Sequence, residues 1–167
     1  MKIAVLLCAQ PRFLNLTYKR IKEEFNIPNV HVDFFIHFWN VTGFSPACEK
    51  LEKHVTDDKL EEYINHLKPK KYKIEDYSKL NDLTFLLKNI YIFLASKKIK
   101  LRNIHNKDRY EFGQWLSNKR AYMLMEEYEQ KHNVKYDIVI RTKSDYIYEN
   151  PKNKIENYII PCEKLDT

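Results

Sequence analysis

Two cations and a carboxylate lie close together near the end of this sequence. Arg141, Lys143 and Asp145 directly follow the β-branched run Ile138–Ile140. A short apolar run of this kind is typical of a strand buried on both faces of a parallel sheet. Cations at the end of such a strand suit the phosphates of a ligand, and Asp145 suits a divalent metal ion, because Mg²⁺ is usually held by one or two carboxylates together with substrate phosphates. The alternative is a strand that runs out into a solvated loop.

The stretch Tyr136–Asp145 resembles the metal-binding segment of GT-A-type glycosyltransferases, in a variant that reads Tyr-Asp-hydrophobic-Val-Ile-Arg-x-Arg/Lys-x-Asp. The resemblance is to small glycosyltransferases of large DNA viruses and to related bacterial enzymes. It implies that Asp145 binds Mn²⁺ or Mg²⁺, and that Arg141 and Lys143 contact the phosphates or sugar hydroxyls of a nucleotide-sugar donor. Many GT-A enzymes have Asp-x-Asp at this point. Lys143 occupies the first Asp position here, so one carboxylate of the pair carries over.

Length and composition limit the class of protein. A chain of 167 residues is long enough for a single core, so we expect residues 1–167 to form one domain. Glycine occurs twice, which excludes the Gly-rich phosphate loops of dinucleotide-binding and P-loop proteins, since these need several glycines close together. The three cysteines are widely spaced and lack a CxxC pair, which argues against a disulfide framework or a zinc site and favours a reducing compartment.

The sequence predicts a cytoplasmic protein without a membrane span. The apolar run Ile3–Cys8 is too short for a signal peptide, and no other stretch is long enough to cross a bilayer. The resemblance to viral enzymes adds the cytoplasm of an infected host cell as an expected location. The net charge of +6 and the basic segments Lys68–Lys73 and Lys97–Arg109 leave nucleic-acid binding open. A solvated surface is favoured instead, because no basic helix with interleaved aromatic residues occurs.

A βαβ unit is predicted at the start of the chain. The apolar runs Ile3–Cys8 and Val30–Trp39 have the length and composition of buried strands. Between them an apolar residue recurs every three or four positions, which predicts one face of a helix; these residues are Leu14, Tyr18, Ile21 and Phe25. Parallel strands joined by such crossovers have their carboxyl ends at the same edge of a sheet.

Polar side chains follow both of these strands. Gln10 and Arg12 come after the first, and His37 and Trp39 end the second. In the resembling family the first loop commonly reads Gly-Gln-Pro-Arg and faces the nucleotide, which implies that Gln10 and Arg12 contact the donor; Ala9 stands at the Gly position. The family's second strand ends in His-x-Trp, which implies that His37 and Trp39 line the base or ribose pocket. From the residues alone, the alternatives are that Arg12 is a surface charge and that His37 is a packed core histidine.

The middle of the chain predicts two helices and a short strand. Thr56 is placed to cap a helix that Pro69 ends. Lys71–Ile74 is predicted as a third strand. The spacing of leucine and isoleucine from Leu80 to Leu94 predicts a second amphipathic helix.

A helix predicted from about Gly113 to Lys131 carries the remaining candidates. Gln114 and Ser117 lie on its buried face and, in this prediction, in its first turn, where the helix dipole is positive. Buried polar side chains need partners. A sugar or a phosphate is one such partner, and ordinary helix capping is the alternative. A Gln at the start of this helix is also a feature of the resembling family, and Arg120, one turn further on, is a candidate phosphate contact.

Together these patterns predict an α/β fold: a Rossmann-like, three-layer α/β/α domain of the GT-A type with a mostly parallel central sheet. The resemblance implies a metal-dependent glycosyltransferase that moves a sugar from a UDP- or GDP-sugar donor to a glycan acceptor. No catalytic base is identified. Few residues follow Asp145, so much of the acceptor-binding half of GT-A enzymes is expected to be missing. A non-catalytic sugar-nucleotide-binding module is therefore the alternative, and a nucleic-acid-binding domain is the third interpretation.

Overall fold

The structure is a computed structural model that describes residues 1–11, 14–41, 55–80 and 106–143. These ranges contain four strands and three helices, which are β1 (Lys2–Ala9), α1 (Leu14–Glu24), β2 (His31–Trp39), α2 (Asp57–Leu67), β3 (Lys71–Glu75), α3 (Asn106–His132) and β4 (Ile138–Thr142). Arg12, Asp145 and all but the first residue of the helix predicted from Leu80 to Leu94 lie outside them. None of the described helices is long and apolar enough to cross a membrane.

The four described strands form one parallel sheet in the order β3-β2-β1-β4. The prediction of an α/β fold with a parallel sheet is therefore confirmed. The chain moves outward from β1 through β2 to β3 and then returns to place β4 on the other side of β1. In open α/β sheets such a reversal leaves a crevice outside the carboxyl ends of the two strands, where ligands bind. By this rule the crevice is expected between the carboxyl ends of β1 and β4.

Helices cover both faces of the sheet. α1 and α2 pack on one face, where their apolar side chains contact alternate side chains of β1 and β2. The buried residues of this core include Ile3, Val5, Leu7, Phe34, Ile36, Phe38, Ile21, Phe25, Leu60 and Ile64. α3 packs on the other face, over a core of Ala4, Leu6, Cys8, Phe35, Ala121, Met125 and Tyr136. This is the three-layer arrangement that the sequence predicts.

β4 is less buried than its apolar sequence predicts. Val139 is 44% exposed, and Ile138 and Ile140 are only partly buried. Among the described strands β4 lies at one edge, and α3 packs over β1, β2 and β3. The prediction of a strand buried on both faces is wrong for this part of the structure, because no described helix covers the side of β4 that carries Val139.

The residues before β4 fix its position at the amino edge of the sheet. The Tyr136 hydroxyl donates a hydrogen bond to Oδ2 of the buried Asp33 at 2.7 Å. The Lys2 backbone N–H donates to Oδ2 of Asp137 at 2.7 Å, and the Asp137 N–H donates to the Lys2 carbonyl at 2.9 Å. The Tyr-Asp pair therefore attaches β4 to β1 and β2 and sets the register that carries Arg141 to the carboxyl edge.

The limits of the helices agree with the sequence in one case and differ in another. Thr56 is the N-cap residue of α2 as predicted, although its side chain makes no capping hydrogen bond, and Lys68 ends the helix in a left-handed conformation with φ 48° just before Pro69. α3 begins at Asn106 and not near Gly113. Gln114 consequently lies about two turns inside the helix, so the argument from the positive end of its dipole does not apply.

A candidate anion-binding site at the carboxyl edge

The strand register brings polar residues of neighbouring strands together at the carboxyl edge of the sheet. Cys8, His37 and Lys73 are lateral partners on β1, β2 and β3. Arg141 pairs with Leu6, whose side chain belongs to the core beneath α3. The carboxyl halves of β2, β3 and β4 thus carry His37, Lys73 and Arg141 on the same face of the sheet, beside Cys8 of β1.

The outer part of this site consists of Gln114, Arg141 and Lys143. The side-chain amide of Gln114 lies between the two cations, with its oxygen 3.0 Å from Nη2 of Arg141 and 2.8 Å from Nζ of Lys143. The amide oxygen is assigned to this position because the amide nitrogen would face two donors there. Arg141 is exposed, and Gln114 and Lys143 are partly buried. Two cationic donors therefore converge on one oxygen position beside the crevice between β1 and β4.

This geometry suits an anion. Hydrogen bonds from guanidinium and ammonium groups to phosphate oxygens are charge-assisted and about twice as strong as those to a neutral acceptor. The amide of Gln114 is neutral, so it brings Arg141 and Lys143 close together without adding a negative charge of its own. An anion placed beside it is attracted by both cations.

The inner part of the site is a buried hydrogen-bonded network around His37. Its Nδ1 is 2.8 Å from Oγ of Ser117, and its Nε2 is 3.0 Å from Oε2 of Glu75. Burial lowers the pKa of His37, and this outweighs the opposing effect of Glu75. When the ring is neutral, Nε2–H donates to the carboxylate, and the single hydrogen of the Ser117 hydroxyl is shared between Nδ1 and the His37 carbonyl oxygen, to which it donates at 3.1 Å.

The serine, the histidine and the carboxylate are hydrogen-bonded in the same sequence as in a nucleophilic triad. Burial prevents this network from acting as one. Ser117 and His37 are both 0% exposed, so no substrate carbonyl or anomeric carbon can reach the hydroxyl. The network instead joins α3 to β2 and β3. Ser117 was predicted to face a ligand; the structure gives it a protein partner.

Glu75 is the centre of charge in this network, and sequence reasoning missed it. Its carboxylate accepts hydrogen bonds from Lys73 and His37 and forms an ion pair with Arg120, whose Nε is 3.3 Å from Oε2. Burial alone would raise the pKa of Glu75, but the hydrogen bonds from Lys73 and His37 and the charge of Arg120 lower it to about 2. Arg120, predicted to contact phosphate, is thus paired with this carboxylate. The available signal was that Glu75 ends β3 as Trp39 ends β2.

Trp39 is also a packing residue in this structure. It is 3% exposed, its Nε1–H donates to the Gly113 carbonyl at 3.1 Å, and its ring lies edge-on to those of His37 and Tyr77. A Cβ at Gly113 would lie 3.1 Å from Cδ1 of Leu80, so the absence of a side chain there lets α3 approach the side chains of Leu80 and Tyr77 closely. Little surface of Trp39 is left for a nucleoside.

The predicted site residues therefore separate into four groups. The structure brings together at the outer edge Gln114, Arg141 and Lys143. Four residues are buried at the carboxyl ends of the strands or under α3: Gln10, His37, Trp39 and Ser117. It pairs Arg120 with Glu75. Arg12 and Asp145 lie outside the described residues.

The described ranges contain no group of three or more His, Cys, Asp or Glu side chains placed to hold a metal ion. Cys8 is buried, and burial raises the pKa of its thiol to about 12 despite the nearby charge of Arg141. Cys8 is therefore a neutral core side chain and not a thiolate ligand or nucleophile. Asp145, the predicted metal ligand, falls outside these ranges.

Comparisons of the chain with protein-family models, with curated proteins and with solved structures found no match.

Proposed function

We propose that the carboxyl edge of this sheet binds the diphosphate of a nucleotide-sugar donor, and that the chain is a metal-dependent glycosyltransferase of the GT-A type. The observation that carries the proposal is the convergence of Arg141 and Lys143 on one oxygen position at the end of β4. A diphosphate presents several anionic oxygens in a short span and matches such a pair of cations.

Two further features support a phosphate ligand at this place. The site lies next to the crevice between β1 and β4, where the strand order reverses and where ligands of open α/β sheets bind. The sequence has no Gly-rich loop to hold phosphate with backbone N–H groups. A phosphate must then be bound by side chains, a metal ion or a helix N-terminus, and in this proposal Arg141 and Lys143 supply side-chain donors.

The chemistry follows from the charge that develops in the reaction. In glycosyl transfer the bond between the anomeric carbon and the diphosphate oxygen breaks, and negative charge builds up on the departing nucleoside diphosphate. Arg141 and Lys143 stabilise that charge without having to reorganise, because the protein already holds them together. A metal ion held by Asp145 and the diphosphate would supply Lewis-acid stabilisation of the same charge. The acceptor hydroxyl of a glycan then replaces the diphosphate on the sugar.

Nucleoside diphosphate release from a panel of UDP- and GDP-sugars, with an oligosaccharide mixture and Mn²⁺, tests this function. The wild-type protein should release nucleoside diphosphate from at least one donor. Arg141→Gln should lower the rate strongly, while Lys135→Gln, which removes an exposed cation in the loop before β4, should not. Asp145→Asn should remove the dependence of the rate on Mn²⁺.

The outcomes separate the remaining interpretations. Donor binding without any release would contradict transfer and favour the non-catalytic sugar-nucleotide-binding module. Release that is unchanged in Arg141→Gln would contradict the site. An equal Mn²⁺ dependence in wild type and Asp145→Asn would contradict Asp145 as the metal ligand.

A further inference from the structure

A cavity lies away from the carboxyl edge, on the face of the sheet that α1 and α2 cover. It has a volume of about 520 Å³ and opens between α1, α2 and the amino half of β2. Pockets that hold small organic molecules have volumes of roughly 300–1,000 Å³. The cavity contains none of the residues proposed to bind the nucleotide, so its function is independent of that proposal.

The floor of the cavity is apolar. It is formed by Phe25, Val32 and Phe34. The rings of Phe25 and Phe34 pack edge-on with centroids 5.8 Å apart, and the two residues are only 4% and 7% exposed. The partly buried Val32 therefore offers more of the apolar surface that a ligand can cover. A ligand that covers this floor must therefore bring apolar surface of its own, since the phenyl rings offer no hydrogen bonds.

The rim is polar and mainly basic. Lys19, Lys22 and His66 line it, together with Glu23 and Asn26. Nζ of Lys22 donates to the His66 carbonyl at 2.7 Å, which holds this ammonium group at the mouth of the cavity. Burial lowers the pKa of His66, and the charges of Lys22 and Lys19 lower it further against the opposing effect of Glu23 and Glu62. The mouth therefore presents the ammonium groups of Lys19 and Lys22 beside the carboxylate of Glu23.

The same surroundings limit the charge that a ligand can carry. Glu23 lies on the rim, and α1 and α2 both end beside it, so the negative ends of two helix dipoles point toward the mouth. A dianion such as phosphate meets this opposing field without gaining from the apolar floor. A single negative charge on an apolar chain gains from both the lysines and the phenyl rings.

We propose that this cavity binds a small amphipathic carboxylate, with its unbranched apolar chain on Phe25, Val32 and Phe34 and its carboxylate between Lys19 and Lys22. The ligand class is thus a medium-chain monocarboxylic acid.

Octanoate is the probe for the test, with the His66 ring signals followed by NMR. Saturable shifts with a dissociation constant in the millimolar range or below are expected, and the pKa of His66 should rise on binding, because a carboxylate offsets the lysine charges. 1-Octanol, which has the same chain without the charge, should bind more weakly. No saturable shift, or equal binding of octanoate and 1-octanol, would overturn the proposal.

Two variants separate the contributions of floor and rim. Val32→Phe fills the cavity and should weaken octanoate binding more than about tenfold, because the chain loses its place. Val139→Phe, an equal change at an exposed site on the other face of the sheet, should bind as wild type. Lys19→Gln should weaken binding by about two- to fivefold, as expected for an exposed charge pair, whereas Lys59→Gln on the surface of α2 should not.

Unchanged octanoate affinity in a folded Val32→Phe protein would also overturn the proposal. Should that variant fail to fold, Lys19→Gln decides alone, and wild-type affinity in it would count against the site.

Discussion

A neutral amide between two cations is the most informative residue-scale feature of the candidate site. Gln114 lies within hydrogen-bond distance of both Arg141 and Lys143. Like charges repel, so an acceptor shared between them reduces the cost of holding them together. In the proposed function Gln114 is therefore a positioning residue for the two cations.

Gln114→Ala should consequently weaken UDP binding. The expected loss is on the order of 1 kcal/mol, or about fivefold in the dissociation constant, as for one neutral hydrogen-bonding group. Isothermal titration calorimetry measures the affinity, and Gln130→Ala, an exposed position on the same helix, is the control. Equal affinity in the two variants would show that Gln114 does not position the cations.

A second residue-scale prediction concerns Glu24, the last residue of α1. Its side chain is 5% exposed, and burial raises its pKa from 4.5 to about 7. The folded state then holds a proton that the unfolded state has released, so the stabilisation present below pH 4.5 is lost as the pH rises through about 7.

Glu24→Gln cannot ionise and should be more stable than wild type at pH 8, by about 1 to 2 kcal/mol in the free energy of unfolding. At pH 4 the difference should be small. Urea unfolding at both pH values measures this, with Glu23→Gln at the exposed neighbouring position as the control. If the stability of Glu24→Gln relative to wild type does not change between pH 4 and pH 8, the pKa of Glu24 is not raised in the folded state.

At the scale of elements, the position of α3 determines the site. Ser117 and Arg120 attach the helix to His37 and Glu75, and Gln114 is carried to the cations as a consequence. The Tyr136–Asp33 hydrogen bond fixes β4 from the other end of the sheet. Helix and strand are thus held separately, and the outer site forms where they meet.

Ser117→Ala tests the contribution of the buried network. Removing the hydroxyl leaves Nδ1 of the fully buried His37 without its partner, which should cost about 1–3 kcal/mol of unfolding free energy. Urea unfolding at pH 7 provides the measurement, and Ser78→Ala, at an exposed position, is the matched control. If the two variants lose equally little stability, the network does not hold α3 in place.

At the scale of the whole molecule, local sequence signals predicted most of the described sheet. The strands β1 and β2 and the helix between them could be predicted because each segment shows its apolar pattern in its own sequence. The start of α3 at Asn106 was missed because the basic residues before Gly113 carry no apolar period. The exposure of β4 was missed because a strand's sequence does not state which helix covers it.

The candidate site could be predicted only in part, because some of its contacts join residues that are far apart in the chain. Parallel topology was enough to bring the strand ends together. The contact of Gln114 with Arg141 and Lys143 did not follow from it, because the sequence placed Gln114 in the first turn of the helix and the structure places it about two turns inside. The role of Glu75 did not follow either, because its contacts join residues far apart in the chain: Glu75 is 38 positions from His37, and Ser117 is 80. Whether a polar residue faces a ligand or another polar residue depends on such distant partners.

The central claim is that Arg141 and Lys143 form an anion site for a nucleoside diphosphate. Calorimetric titration with UDP and GDP, in low salt and with Mn²⁺, tests it most directly. The double variant Arg141→Gln/Lys143→Gln should bind at least about tenfold more weakly than wild type, since two charge-assisted contacts are lost. Lys131→Gln/Lys135→Gln, which removes two exposed cations near the end of α3, should bind as wild type. Equal affinity of the two double variants, or no binding of either nucleotide by the wild-type protein, would contradict the account.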